Sequence, residues 1–83
     1  MSRTEIADKL KEILLDADSR NREAILGATE DTDLQTDLGL SSVNMLFTVI
    51  AIEEEFGVSF DDVGVADFRT LGNVITYIEG KLS

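Results

Sequence analysis

The sequence contains no cysteine, no histidine and no proline among its 83 residues. Without cysteine it has no disulfide framework, no thiolate nucleophile and none of the sulfur ligands of the usual zinc sites. Without histidine it lacks the commonest general base near neutral pH. We therefore do not expect this chain to be an enzyme or to hold a metal ion. No proline marks a linker, and we predict a single domain over residues 1–83.

Long apolar runs are also missing, and the first ten residues combine charges with an amphipathic pattern instead of an apolar signal core. With 43% hydrophobic residues, the chain is nevertheless too apolar for a disordered acidic tail. These properties predict a soluble, cytoplasmic monomer that does not insert into a membrane.

Acidic residues outnumber basic ones by 17 to seven, and the excess is confined to one segment. Between Glu30 and Asp67 there are ten carboxylates and no lysine or arginine, whereas the other seven carboxylates are matched by seven basic residues. Such a segment repels nucleic-acid phosphates and anionic lipid heads, and it attracts basic protein surfaces. We expect protein partners with positive patches and no nucleic acid.

Apolar residues recur at helical spacing in the first and middle parts of the chain. The first pattern predicts a helix over about residues 3–17, with Ser2 or Thr4 as its cap. The second predicts a helix over residues 42–56 with an apolar stripe wider than a core needs. Gly57 follows this helix where a left-handed C-terminal cap is favoured.

Three further segments complete the predicted architecture. Thr70 is placed to cap a last helix that continues to Leu82. Residues 60–68 fit one short helical turn, and residues 19–40 form a long connection without sustained periodicity. The pattern predicts an all-α protein, a three-helix bundle with one additional short helix and a long first loop.

The segment most indicative of function lies where the long loop meets the second helix. It reads Asp-Leu-Gly-Leu-Ser-Ser-Val from Asp37 to Val43, so two serines stand at a helix start. With Asp33 and Leu34 before it and Ile-Glu-Glu-Glu-Phe at 52–56 after it, the chain resembles the acyl carrier proteins. The resemblance continues through Phe60 and the last helix and covers nearly the whole chain.

This resemblance implies a 4'-phosphopantetheine arm, delivered from coenzyme A by a phosphopantetheinyl transferase. Family members carry the arm on a serine that usually follows Asp and precedes Leu, Ile or Val, which indicates Ser42, with Ser41 as the alternative. The thiol of the arm would hold acyl intermediates as thioesters for fatty acid, polyketide or specialised lipid synthesis. Free N–H groups and the helix dipole at this position favour the attached phosphate.

The resemblance and the acidic charge together predict a surface that docks the transferase and the synthase or acyl-loading enzymes. Its candidate residues are Asp37, Val43, Asn44, Leu46, Phe47, Ile50, Glu53 and Glu54. The alternative for the apolar members is ordinary core, and the alternative for the acidic ones is a solvated face. Phe47 stands where the family often has Glu, so its exposure would indicate a specialised partner.

Two positions depart from the family pattern. Ser41 replaces the usual Asp before the modified serine, and Asn44 stands where fatty acid carriers often have an acid. Serine is a competent helix cap, so we expect the fold to tolerate the first change. Both changes bear on which transferase or downstream enzyme accepts the protein.

Other functions also fit this scaffold. One is a peptidyl or aryl carrier that serves an adenylating enzyme, although the strong acidity favours the acyl type. The other is an unmodified acidic adaptor in which both serines only cap the helix.

The loop from Asp31 begins like a calcium-binding loop, but Thr36 replaces its required Gly and Ser42 replaces its bidentate Glu. We therefore predict no metal site.

Overall fold

The computed structural model describes residues 2–17, 21–60 and 68–82, and these form four α-helices. The helices are α1 (Arg3–Ala17), α2 (Arg22–Leu26), α3 (Ser42–Phe56) and α4 (Leu71–Leu82). α1 packs against each of the other three. Within the described ranges, β-type pairing is limited to one antiparallel bridge between Asp33 and Thr70. The predicted all-α fold is confirmed.

The ends of α1 and α3 lie where the sequence predicts them, and local hydrogen bonds explain why. At the start of α1, Ser2 Oγ accepts from the Glu5 N–H at 3.1 Å, and Glu5 Oε1 accepts from the Ser2 N–H at 3.2 Å. This reciprocal pair is a capping box. At the end of α3, Gly57 adopts a φ of +66° and its N–H donates to the Glu53 carbonyl. A left-handed residue here favours glycine.

The chain between α1 and α3 differs from the prediction because it contains α2. We expected only a connection over residues 19–40, but Arg22–Leu26 is helical and Ile25 is fully buried. Five residues make less than two turns, which is too short for an apolar repeat to show.

The predicted turn over 60–68 falls almost wholly on residues 61–67, which lie outside the described residues. The predicted cap of α4 is confirmed, since Thr70 Oγ1 accepts from the Asn73 N–H at 3.2 Å.

The core combines one apolar face of each long helix with leucines from the loop between α2 and α3. These residues are Ile6, Leu10 and Leu14 of α1, Met45, Val49 and Ile52 of α3, Leu71, Val74, Ile75 and Ile78 of α4, and Leu34, Leu38 and Leu40 of the loop. Three aromatic rings, Phe60, Phe68 and Tyr77, extend it, with centroids 4.7–5.4 Å apart. The loop before the two serines is therefore part of the core.

The early part of this loop is also bonded along its backbone to the start of α4. Residues 30–34 and 69–72 share three backbone hydrogen bonds of 2.9–3.0 Å. One of them joins the Gly72 N–H to the Glu30 carbonyl. A Cβ at position 72 would lie 2.8 Å from that carbonyl oxygen, so the close approach requires glycine. These bonds hold the loop against α4.

A single arginine links α1, the loop and α4. The Arg3 guanidinium forms ion pairs with Glu30 and Glu79 and donates to Thr76 Oγ1. The hydrogen bond from Arg3 holds the pKa of Glu30 below its usual value, and these carboxylates raise the pKa of Arg3. The cluster is partly exposed, so we expect a modest contribution that depends on the charge of Glu30.

We predict that the stabilising effect of Arg3 is lost in acid. Because the pKa of Glu30 is lowered in the folded state, its contribution is present at neutral pH and disappears as the pH falls through that lowered pKa. The difference in Tm between the wild type and Arg3→Gln should therefore shrink between neutral pH and about pH 3. Arg22→Gln, at an exposed α2 position, is the matched control and should give no such pH-dependent difference. A constant wild-type to Arg3→Gln gap across this range would contradict the assignment.

Candidate functional site

The two serines at the start of α3 have different surroundings. Ser41 is the N-cap, with extended backbone geometry, and its Oγ accepts from the Asn44 N–H at 3.2 Å. Ser42 is the first residue of the helix and is exposed. In the described part of the chain, no group is hydrogen-bonded to Ser42 Oγ. The hydroxyl that the family pattern indicates is thus the accessible one of the pair.

Hydrogen bonds and buried leucines fix the loop that leads to these serines. The Leu40 N–H donates to the Leu34 carbonyl at 3.0 Å, and both side chains are buried. Between them, Gly39 turns the chain with a φ of +67°, a conformation that favours glycine. Asn21 Nδ2 donates to the Leu38 carbonyl at 2.6 Å. Two hydrogen bonds and buried leucine side chains therefore hold the chain just before Ser41.

Two aspartates of the loop, Asp33 and Asp37, accept hydrogen bonds from backbone N–H groups of the same loop. Asp33 Oδ1 accepts from the backbone N–H groups of Gln35 and Thr36, both at 2.9 Å, and Arg69 Nε lies 3.2 Å from Asp33 Oδ2. The Thr36 N–H is the main cause of the lowered pKa of Asp33, with Arg69 adding to it. Asp37, a predicted docking residue, is exposed, but its Oδ2 accepts from the Asp33 N–H at 2.8 Å.

Four large apolar side chains line the outer face of α3, and we call them the α3 strip. They are Val43, Leu46, Phe47 and Ile50, with exposures of 62%, 53%, 63% and 46%. Their spacing of three and four residues places them on one helix face, opposite the buried Met45, Val49 and Ile52. The sequence left core and surface open for these residues, and the structure places all four at the surface.

Other large apolar side chains with comparable exposure are few. In the ranges described, they are Leu26 at 49% and Leu82 at 42%, on α2 and α4. Scattered single residues of this kind are normal on protein surfaces, whereas a contiguous patch marks an interaction site. The four members of the α3 strip are neighbours on one helix face and form such a contiguous patch.

The polar docking candidates of α3 have distinct roles. Glu53 is partly buried, and its Oε2 accepts from the Phe60 N–H at 3.0 Å, so it organises the chain after the helix. Glu54 is exposed, and no described group pairs with its carboxylate. Glu55, the third acid of this run, pairs with Lys9 at 2.9 Å. Asn44 is partly buried, and its carbonyl accepts from Thr48 Oγ1 at 2.8 Å. Glu54 is therefore the carboxylate most available beside the strip.

The interior beneath α3 is tightly filled. A cavity of about 10 Å³ lies among side chains of α1, α3, α4 and the loop, with Thr48 as its polar member. This volume is at the lower limit for one water molecule. The described residues therefore contain no preformed chamber for an acyl chain, and an entering chain would have to displace core side chains.

The described ranges contain neither a metal site nor a membrane-spanning helix. Within residues 2–17, 21–60 and 68–82, no three His, Cys, Asp or Glu side chains form a group that could hold a metal ion. None of the four helices is long and apolar enough to cross a membrane.

Comparison with known proteins decides the family. A family model described as "Phosphopantetheine attachment site" matches residues 8–78. A Thermotoga maritima protein named acyl carrier protein is 36% identical over 81 residues, which cover 98% of this chain and 96% of that protein. The chain belongs to the acyl carrier proteins. Relatives with the same name occur in Clostridium perfringens, with 37% identity over 86% of this chain and 90% of that one, and in Lactobacillus acidophilus, with 29% over 95% of each.

Family membership establishes the cofactor of this carrier as 4'-phosphopantetheine. Acyl carrier proteins are carriers rather than catalysts, and they work with a transferase and with synthase enzymes. The surroundings of Ser42 fit such a group, because the hydroxyl is exposed and the N–H groups of Ser42 and Val43 have no intrahelical acceptor. An anionic phosphodiester is favoured at such a helix start.

Sequence reasoning did not find the α1 residues that lie beside the α3 strip. Ile13, Asp16 and Ala17 line a surface groove together with residues of α3. Their pattern resembles any helix face, and only the packing of α1 on α3 brings them to the strip. The small side chain of Ala51 is a weak signal that a groove could open there.

Proposed function

We propose that Ser42 carries the phosphopantetheine arm and that this single-domain, cytoplasmic carrier presents acyl thioesters to separate enzymes. The observation that carries the assignment is the exposed hydroxyl of Ser42 at the start of α3, inside the matched attachment-site region. The thiol of the bound arm supplies the thioester chemistry. The protein itself contributes an accessible hydroxyl and a rigid support, and it catalyses no step.

Transfer of the arm makes one new bond to this chain. Ser42 Oγ forms a phosphodiester with the pantetheine phosphate of coenzyme A, and the nucleotide part of coenzyme A leaves. The base that accepts the serine proton belongs to the transferase, since this chain has no histidine or cysteine. Ser41 stays on the Asn44 N–H and holds the helix start in place. This division explains how two adjacent serines serve one site.

Intact mass tests the proposal directly. The purified apo protein, incubated with coenzyme A and a broad-specificity phosphopantetheinyl transferase, should gain the mass of one arm. Fragmentation of the modified peptide should then place the added mass on Ser42. An unchanged mass would reject the carrier function and leave the acidic adaptor.

Partner enzymes are proposed to dock on the α3 strip and the acids around it. An apolar strip with the exposed Glu54 on the same helix and the exposed Asp37 in the preceding loop is complementary to an apolar patch rimmed by lysine or arginine. The acyl rather than peptidyl type of cargo is favoured by the names of the relatives. Self-association is disfavoured by the net charge of -10, which supports a monomer.

Salt should act in opposite directions on docking and on stability. Raising the ionic strength from about 0.05 to 0.5 M shortens the Debye length severalfold and weakens the attraction between the acidic carrier and a basic transferase. The KM of the transferase for the carrier should therefore rise. The Tm of the free carrier should also rise, because its excess negative charge is screened. Both are measured on the same samples, by kinetics and by thermal unfolding.

A matched pair of variants locates the charge that matters. Glu54→Gln should reduce the salt dependence of KM, whereas Glu23→Gln, an exposed acid on α2, should leave it close to the wild type. A KM that is independent of salt would contradict docking through the acidic surface.

A further inference from the structure

A groove lies between the second half of α1 and one flank of α3. It has a volume of about 300 Å³, and it is lined by Ile13, Asp16 and Ala17 of α1 and by Asn44, Phe47 and Ala51 of α3. Phe47 is also a member of the α3 strip and is 63% exposed. One side chain therefore forms both the edge of the strip and a wall of the groove, so the two make one continuous surface.

The groove lies on the flank of α3 that faces away from Ser42. With 3.6 residues per turn, Asn44, Phe47 and Ala51 share one flank, whereas Ser42 and Leu46 share the other. Contacts around the modified serine alone would leave the groove uncovered. A partner that covers both must lie across the strip and reach α1.

The charges at the groove indicate what its occupant carries. Asp16 is exposed, and no described group pairs with its carboxylate, while Glu54 follows Ala51 by three residues on α3. The lysines of α1 do not compensate these acids, because Lys9 pairs with Glu55 and Lys11 donates to the Leu26 carbonyl. Among the described residues, no cation compensates the acidic rim of this apolar depression, which therefore fits an apolar side chain close to a lysine or arginine.

We infer that this groove is a second docking point, which accepts an apolar side chain from a basic amphipathic helix of a partner enzyme. The inference rests on the proposed function, in which the carrier delivers Ser42 to such enzymes. The partner helix would cross the α3 strip, insert its apolar side chain beside Phe47 and place its cation at Asp16. A second copy of this chain is not the occupant, because its net charge of -10 repels itself.

An NMR titration tests the inference with a probe of defined chemistry. The probe is a synthetic amphipathic helical peptide of leucine and lysine, added to the ¹⁵N-labelled holo protein. Amide shifts of Ala17 and Ala51 should change together with those of the strip. A leucine and glutamate peptide of the same pattern should cause no shifts. Changes confined to the strip would overturn the inference.

Substitutions then test whether the groove itself contributes. Ala51→Gln fills the groove with a good helix former and should weaken peptide binding about tenfold. Leu82→Gln, at an exposed apolar position on α4, is the control and should bind like the wild type. Ala17→Gln, at the exposed end of α1, serves as a second groove variant if Ala51→Gln lowers the Tm. Groove variants that bind like Leu82→Gln would overturn the inference.

Two variants that each remove one negative charge distinguish a specific contact at Asp16 from general electrostatic attraction of the peptide. Asp16→Asn should weaken binding more than Asp8→Asn, although each removes one exposed carboxylate from α1. Equal losses would count against the placement of a cation at Asp16. Every variant is also assayed for mass gain with coenzyme A and the transferase. If the wild type gains no mass, the proposed function is refuted. If the groove variants gain the arm normally and bind the peptide as tightly as the wild type does, only the inference about the groove is refuted.

Discussion

Ser42→Ala should abolish attachment of the phosphopantetheine arm, whereas Ser41→Ala should retain it. The reason is that Ser42 Oγ is exposed without a described partner, while Ser41 Oγ accepts from the Asn44 N–H at 3.2 Å. Ser42→Ala removes only the acceptor of the arm, so the fold should keep nearly its full stability. Intact mass after incubation with coenzyme A and the transferase gives the result for each variant.

The Ser41 variants supply the matched controls. Ser41→Ala deletes the cap of α3 and should lower the free energy of unfolding by about 0.5–2 kcal/mol. Ser41→Asp, which restores the residue usual in the family, should keep both the cap and the arm. If Ser42→Ala still gained mass, the site would move to Ser41. A parallel Ser41→Ala sample without mass gain would confirm that shift.

The three long helices could be predicted because their signals are local. Apolar residues repeat over several turns, and Ser2, Gly57 and Thr70 act on backbone groups within a few residues of themselves. A local signal of this kind does not depend on the rest of the fold. Ser42 is indicated by a different kind of signal, the resemblance of the segment from Asp37 to Val43 to the acyl carrier pattern, and its modification stays a prediction.

α2 and the path of the long loop depend on distant contacts and could not be predicted. Asn21 bonds to the Leu38 carbonyl, 17 residues away, and residues 30–34 bond to the start of α4. Arg3 reaches Glu79 at the other end of the chain. Neither periodicity nor composition contains these pairings, because they arise only when the helices pack.

For the predicted site residues, the sequence does not show which are held by bonds within the fold and which face solvent. Glu53 and Glu54 are adjacent and chemically identical, yet Glu53 bonds to the Phe60 N–H and Glu54 faces solvent. Similarly, Leu46 and Val49 belong to one wide apolar stripe, and Val49 is the one that is buried. The choice between them depends on the side from which the other helices approach α3.

The division of α3 into two apolar faces has a functional consequence. Because the buried face carries Met45, Val49 and Ile52, the strip on the opposite face is not needed to hold the bundle together. Phe47, at 63% exposure, replaces the acid that the family often has there. On the proposed docking surface, losing a charge and gaining apolar area would shift recognition from electrostatic steering toward direct apolar contact. We therefore expect this carrier to recognise a narrower set of partners by shape.

Leu38→Ala should have the largest effect on stability among the loop residues. Leu38 is 1% exposed and lies in the loop just before the two serines, so its truncation leaves a cavity at the base of the site. The expected loss in the free energy of unfolding is about 2–5 kcal/mol. A domain of this size has only roughly 4–12 kcal/mol in total. Denaturant unfolding monitored by circular dichroism measures the loss.

The control for this variant is the same substitution at an exposed leucine. Leu26→Ala, at a side chain that is 49% exposed, should change the free energy of unfolding by well under half as much. Because Leu38 also fixes the backbone that leads to Ser42, Leu38→Ala should slow transfer of the arm even at temperatures where the variant stays folded. Equal losses for the two variants would show that the loop leucines are not part of the core. Normal transfer by a folded Leu38→Ala would show that the loop does not position Ser42.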